Sequence, residues 1–394
     1  VRFRYVCSEC GLSYEISPQI LVCPECSKSQ EVEKPLRGIL EVQPEGPYGR
    51  TGDTFDYLPV ERQFFPPIPV GNTPLWQPVN LRERTGFHRL YIKDDTLNPT
   101  GSLKDRASYL VAAFARQHGI RHIVVASTGN AASSMAGVGA AGDLKVTIFI
   151  PKTAPPAKMI QALQYGAEVV AVDGSYDEAY DLSLEYSQSR SDRKSSSYRG
   201  SILSRNTGYN PLTIEGKKTV SFEIYAQVKG PVDYLFVPAG DGVILSGVYK
   251  GFRDLLKLGK IKRVPTIYAV QAEGSSALYT AFLSGDFTEP PVQSSTLADS
   301  IAVNVPRAGY YALKQLKTYE GRCVTVSDSQ IIEAQRTLAS TTGLFAEPAA
   351  SAALAGFLKV RGELLRTATV VLLVTGNGLK DVESAMRGVK NPCL

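Results

Sequence analysis

A chain of 394 residues, 43% hydrophobic and 21% charged, has the composition of an ordinary globular protein with room for two core-bearing domains and an appendage. Its formal net charge of +5 is mild and its acidic residues are interspersed, so nothing demands a nucleic-acid partner. No apolar run approaches the ~18 residues needed to span a membrane and no signal-peptide pattern opens the sequence, so a cytoplasmic protein with neither membrane nor nucleic-acid partners is expected.

Four of the six cysteines fall early, as Cys7-x-x-Cys10 and Cys23-x-x-Cys26. Thiolates at this spacing close a tetrahedral zinc site, and so short a segment cannot build a core of its own. Structural zinc on Cys7, Cys10, Cys23 and Cys26 is the expectation; two disulfides or four free thiols are the alternatives, and a reducing cytoplasm disfavours disulfides. Residues 31–68 are rich in Pro, Gly and charge and read as an extended arm, with at most a strand at Gly38-Ile39-Leu40-Glu41-Val42. Gly71-Asn72-Thr73-Pro74-Leu75 is a turn into the main body.

From residue 90 strands and helices alternate. Short apolar runs at 90–93, 123–126, 146–150, 169–172, 234–237, 267–270 and 369–374 suit strands buried on both faces. Cys323-Val324-Thr325-Val326 is a further strand-like run, and Cys393 lies in the tail. Helical periodicity fills the gaps, as at Met159–Leu163 and Ile331–Leu338. The predicted fold is α/β, with two doubly wound, mostly parallel sheets covered by helices. Ser187 to Ser201, rich in Ser, Arg and Lys, reads as an exposed loop.

In such sheets ligands gather at the carboxyl ends of strands. The first strand end of note is Asn98-Pro99-Thr100-Gly101-Ser102-Leu103-Lys104-Asp105-Arg106. Ser102 and Asp105 have the spacing of a capping box. Ala107, Leu110, Val111, Phe114 and Ala115 then share one helical face, and Gly119 is set to end the helix. Lys104 falls in the first turn, where the positive dipole end disfavours an ammonium. A lysine so held suits Schiff-base chemistry. The second end, Ser127-Thr128-Gly129-Asn130-Ala131, opens an Ala/Ser/Gly-rich helix whose backbone N–H groups suit a carboxylate or phosphate. The third is Ala239-Gly240-Asp241-Gly242, with two glycines allowing close approach to an anion. The fourth is Thr375-Gly376-Asn377-Gly378-Leu379-Lys380-Asp381, after the last strong strand.

At these residues, and at Glu215-Gly216-Lys217-Lys218-Thr219 and Phe345-Ala346-Glu347-Pro348, the sequence resembles the threonine synthase family of fold-type II pyridoxal-phosphate enzymes. The likeness spans about residues 70–385, and a zinc ribbon occurs on some relatives. The resemblance implies a zinc ribbon at 1–30, an arm at 31–68, a large pyridoxal-phosphate domain at 69–106 and 231–394, and a small inserted domain at 107–230. It further implies that Lys104 holds pyridoxal phosphate and shuttles protons. Asn130 would bond the cofactor's 3′ oxygen, Gly240, Asp241, Gly242, Val243 and Ile244 would cradle its phosphate, and Thr375 would face its ring nitrogen. The loop Ser127, Thr128, Gly129, Asn130 and Ala131 would take the carboxylate of an amino-acid substrate, Glu347 would lie near the ring or cap a helix, and a homodimer would form. The best-fitting reaction is O-phosphohomoserine plus water to threonine plus phosphate.

Two departures bear on the substrate. Asp241 stands where relatives typically carry Asn, and a carboxylate repels a phosphate unless it turns away or pairs with a cation. In Asn210-Pro211-Leu212-Thr213, Thr213 stands where relatives usually carry an Arg for the substrate phosphate. Losing a charge-assisted contact costs ~1.5–3 kcal/mol, which Lys152, Lys158, Lys217 or Arg307 could supply instead. The alternative reading is therefore an ammonia-lyase on serine, threonine or diaminopropionate, or a β-replacement enzyme acting on phosphoserine.

Overall fold

The computed structural model describes residues 2–46, 53–154, 156–189 and 200–389. In chain order its strands are β1 (Phe3–Cys7), β2 (Ser13–Glu15), β3 (Leu40–Pro44), β4 (Leu75–Trp76), β5 (Leu90–Asp94), β6 (His122–Ala126) and β7 (Lys145–Pro151). There follow β8 (Glu168–Val172), β9 (Ile202–Ser204), β10 (Tyr234–Pro238), β11 (Thr266–Ala272), β12 (Arg322–Val326) and β13 (Val370–Val374). The chain forms two compact units, one of Val1–Gln30, Leu36–Gly71 and Lys104–Thr219, the other of Glu31–Pro35, Asn72–Leu103 and Val220–Leu394.

The first unit carries a small antiparallel sheet, β2-β1-β3, and a parallel four-stranded sheet in the order β8-β7-β6-β9. Alternation along β1 turns Tyr5 and Cys7 inward against Leu40 and Val42. These side chains merge with Leu110, Phe114, Ile123, Val125 and Ile148 in one cluster, so the ribbon shares a core rather than building one. The Val169–Val172 run is not buried on both faces. β8 is the sheet's edge strand, and Val170 and Ala171 are exposed on it.

The second unit is built on a six-stranded sheet in the order β12-β11-β10-β13-β5-β4, parallel except for β4. β13 is buried at every residue because β10 and β5 flank it, which is why its sequence is an unbroken apolar run. Ile92, Phe236, Val270, Phe357 and Leu372 lie at the centre of its core.

The Lys104–Gln117 helix buries Ala107, Leu110, Val111, Phe114 and Ala115, and Ala112 and Ala113 as well. Gly119 follows it at φ +70°. The capping box does not form. The helix begins at Lys104, and Ser102 lies outside it in an antiparallel bridge to Gly376, its hydroxyl buried without a hydrogen-bond partner. The Tyr176–Ser189 helix runs through the start of the Ser-rich stretch, with the Ser187 hydroxyl bonded to Leu184 O. Residues 190–199 of that stretch, and Cys393, are outside the described residues. Among the described residues no helix is long and apolar enough to cross a membrane.

Candidate active site

In the second unit three neighbouring parallel strands, β10, β13 and β5, deliver the predicted loops to one end of the sheet. After β5, Leu103 N–H donates to Thr375 O at 2.9 Å, and Asn377 N–H donates to Gly101 O at 2.9 Å. The segment ending one residue before Lys104 is thereby laced to the loop after β13. Thr375 is buried. Glu347 precedes the Pro348–Val360 helix but makes no side-chain cap. Its carboxylate accepts from Ser300 Oγ at 3.3 Å and lies against Gly376, where a Cβ would come within 2.4 Å of Oε1.

After β10 the chain turns through Gly240, Asp241 and Gly242 into the Val243–Lys257 helix. A Cβ on Gly240 would stand 2.8 Å from Ile301 Cα and 3.0 Å from Ile301 O, so only glycine lets these backbones approach. Gly242 adopts φ +81°, the left-handed region open to glycine. The Asp241 carboxylate folds back on its own loop: Oδ1 accepts from Val243 N–H at 2.9 Å and so uses one helix-start donor itself.

In the first unit, Lys104 and Asn130 each open a helix, Lys104–Gln117 and Asn130–Ala141. Lys104 is half-buried and Asn130 buried. One turn further on, on the same faces, stand Ser108 and Ser134, and Ser134 Oγ donates to Ser108 Oγ at 2.7 Å. Ser127, Thr128 and Gly129 are partly exposed between β6 and the second helix, and Gly129 N–H donates to Ser127 Oγ at 3.2 Å. Ala131 is buried beyond Asn130.

Thr213 is fully buried, and its hydroxyl is used locally: it donates to Asn210 O at 2.7 Å and accepts from Gly208 N–H at 3.2 Å. Lys217 is also fully buried, with Nζ donating to Thr213 O at 3.0 Å. Lys152 is exposed and paired with Asp173 at 3.2 Å. Arg307 is half-buried in the second unit, and the Lys158 side chain is outside what is described. Sequence reasoning missed Arg205, a fully buried arginine directly after β9. The only available signal was an Arg following the short apolar pair Ile202-Leu203.

The cysteines of both knuckles meet: the four Sγ atoms lie within 4.8 Å of one another, with Cys7–Cys26 and Cys10–Cys23 each at 3.7 Å. That is far beyond a disulfide bond and close to the ~3.8 Å edge of a tetrahedron with ~2.3 Å metal–sulfur bonds. Burial pushes the Cys23 thiol up, but backbone N–H groups of Cys26 and Glu25 and the Tyr14 hydroxyl outweigh it and bring it down to about 7. Cys26 and Cys7 are raised, chiefly by burial and by the neighbouring thiols.

Two mostly parallel α/β units, one with a helix-start lysine and the other with a glycine turn between strand and helix, match the fold-type II class of pyridoxal-phosphate enzymes. The chain belongs to the family described as pyridoxal-phosphate dependent enzyme, whose model matches residues 68–376. Its curated relatives include the threonine synthases of Methanocaldococcus jannaschii, 30% identical over 98% of this chain and 95% of the relative, and Methanosarcina acetivorans, 32% identical over 100% and 96%. Among solved structures, the processed form of threonine deaminase isoform 2 from Solanum lycopersicum superposes with a TM-score of 0.69 at 21% identity, covering 89% of this chain and 96% of that one. The residues present fit the family's cofactor: Gly240 and Gly242 hold a helix start whose N–H groups, apart from the Val243 N–H taken by Asp241, suit a phosphate, and Ser102 offers a buried hydroxyl without a partner beside the Thr375 loop.

Proposed function

We propose that the protein is a threonine synthase, releasing phosphate from O-phosphohomoserine and adding water to give threonine. The observation that carries this reading is near-full-length similarity to threonine synthases in a chain that keeps Lys104, Asn130 and the Gly240–Gly242 cradle at strand ends. When bound, pyridoxal phosphate supplies an electron sink that acidifies the carbons of an attached amino acid. Lys104 holds the cofactor, and its Nζ then takes and returns protons at the substrate's α, β and γ carbons. The Asn130 amide would donate to the cofactor's 3′ oxygen, and residues 240–244 would bind its phosphate through those backbone N–H groups that Asp241 leaves open, the Val243 N–H being taken by its carboxylate. Thr375 would face the ring nitrogen with a neutral hydroxyl, which would keep the sink mild and favour elimination and replacement over transamination. The Ser127–Ala131 loop holds the substrate carboxylate.

The same reading divides the chain into a zinc ribbon (1–30) on Cys7, Cys10, Cys23 and Cys26, an arm (31–68), a large cofactor domain (69–106 and 231–394) and a small inserted domain (107–230). It makes the enzyme a cytoplasmic homodimer. The deciding experiment is incubation of the cofactor-loaded enzyme with O-phosphohomoserine: phosphate and threonine should appear together in equal amounts, and no release at high enzyme concentration ends the reading. The inward-turned Thr213 hydroxyl favours a second reading, an ammonia-lyase on serine or threonine. That branch is tested by formation of ammonia and an oxo acid, and absence of both removes it.

A further inference from the structure

The Glu31–Pro35 segment of the arm belongs to the second unit, although Gln30 and Leu36 on either side of it belong to the first. So short an excursion is held at both its base and its tip. At the base, Gln30 Oε1 accepts from Arg37 N–H at 2.8 Å, and Cys23 N–H donates to Gly38 O at 2.8 Å, which ties the returning chain to the second cysteine knuckle. At the tip, Lys34 Nζ donates to Phe287 O at 2.7 Å and Pro35 is buried. We propose that Lys34 and Pro35 are positioning residues for the cofactor's phosphate, acting through the backbone that backs the Gly240–Gly242 turn. The inference rests on the reading that residues 240–244 bind that phosphate.

The path from tip to turn is short and lies within the second unit. Pro35 and Phe287 press on Gly309: a Cβ there would come within 2.8 Å of Pro35 Cγ and 2.7 Å of Phe287 Cζ. The Phe287 ring also meets Tyr310 edge-on, with centroids 5.4 Å apart. Gly309 opens the Gly309–Thr318 helix, and Ala308, immediately before it, donates its N–H to Asp241 O at 2.8 Å. A Cβ on Gly242 would stand 3.2 Å from Ala308 O and 3.1 Å from Ala312 Cβ, so the same helix start forms the wall behind Gly242. Contacts this close pass a displacement on rather than absorb it. Releasing the tip therefore lets Ala308 shift, and the Asp241 carbonyl that it holds moves with it.

The turn depends on such support because Asp241 takes the Val243 N–H for its own carboxylate. A phosphate meets one donor fewer, and the aim of the donors that remain counts for more. Lys34 supplies the fixed point: an ammonium on a carbonyl is a charge-assisted hydrogen bond, stronger than a neutral one. Lys104 belongs to the first unit and lies outside this path, so the effect falls on the phosphate end of the cofactor alone.

The test is spectroscopic titration of the cofactor-free protein and its K34M, K34R and P35A variants with pyridoxal phosphate and with pyridoxal, which lacks the phosphate. K34M and P35A should each weaken pyridoxal phosphate binding about fivefold or more, a large part of one charge-assisted hydrogen bond, and leave the Kd for pyridoxal within about twofold of wild type. K34R, which keeps a charged donor, should restore wild-type affinity for the phosphorylated cofactor. K34M exchanges one unbranched side chain for another and keeps the test open should P35A lose the fold. An unchanged Kd for pyridoxal phosphate in K34M overturns the proposal. An equal loss for pyridoxal also overturns it, since that marks a general loosening. Gly240→Ala separates the proposal from the reading beneath it. If that variant also binds pyridoxal phosphate as wild type does, residues 240–244 do not hold the phosphate and the proposal falls with them. If Gly240→Ala weakens binding and K34M does not, the cradle stands and only the part assigned to the tip is lost.

Discussion

Replacing Gly240 with alanine isolates the contribution of close backbone approach at the cofactor cradle. The added Cβ would stand 2.8 Å from Ile301 Cα, 3.0 Å from its O and 3.1 Å from its C, all backbone atoms that no rotamer change can clear. Ordinary contact lies at ~3.5–4.0 Å, so one of the two segments must move by roughly 0.7 Å or more. Overpacking of this kind costs about 1–3 kcal/mol. For a chain of 394 residues, with an unfolding entropy of ~2.1 cal/mol/K per residue, that should lower the melting temperature of the cofactor-free protein by about 1–4 °C. The displaced segment carries the helix-start N–H donors, so cofactor binding should suffer too. Loss or lengthening of one charge-assisted bond, worth ~1.5–3 kcal/mol, predicts a Kd for pyridoxal phosphate roughly 10- to 100-fold weaker. Fluorescence titration of the cofactor-free protein measures the Kd, and thermal melts measure stability. Gly362→Ala is the control, because a Cβ there meets nothing within 4 Å. Unchanged Kd and melting temperature in Gly240→Ala would refute the reasoning.

Lys104→Ala should abolish fixation of the cofactor by borohydride and lower phosphate release at least about a thousandfold; a borohydride-stable adduct on the variant would show that another lysine holds the cofactor. Zinc chelation should speed hydrogen exchange of the β1 and β3 amides while leaving β13 unaffected, and zinc affinity should climb with pH because Cys7 and Cys26 are held above the usual thiol range. Exchange that ignores the chelator would count against a metal-held ribbon. Burial holds His118 below its ordinary value, so the unfolded chain takes a proton near ~6.5 before the folded chain does. Its contribution to stability is therefore complete above that pH and is lost as pH falls through the folded value, with a slope of at most about 1.4 kcal/mol per unit. His118→Gln should flatten this slope in urea melts between pH 7 and 5, and an identical slope would exclude His118 as its source.

Strands that bury both faces were legible because burial writes itself into the chain as an apolar run, as in Val370–Val374. The run at 169–172 has the same look, yet its strand ends the sheet, and pairing on only one side is a tertiary fact that local sequence does not carry. β9 was missed for the opposite reason: it is three residues long and its support comes from pairing with β6. At Ser102 the capping pattern was real as spacing, but a bridge to Gly376, far along the chain, took that residue out of the helix. Thr213 announced a missing charge without showing that its hydroxyl turns inward. Arg205 had no local signature at all, since its significance depends on Ser108, 97 residues away, and on Thr207 beside it.

The pair of serines one turn beyond Lys104 and Asn130 has a consequence for how this protein can change. Hydroxyls 2.7 Å apart act as a gauge block between two helices, and the spacing they set is inherited by the residues one turn above them. A larger side chain at either position would wedge the helix starts apart, and a smaller one would let them settle together. Substitutions at 108 and 134 should therefore be tolerated only in matched pairs of constant combined size. That makes two residues with no direct part in the chemistry the place where a designer could widen or narrow the site by fractions of an ångström.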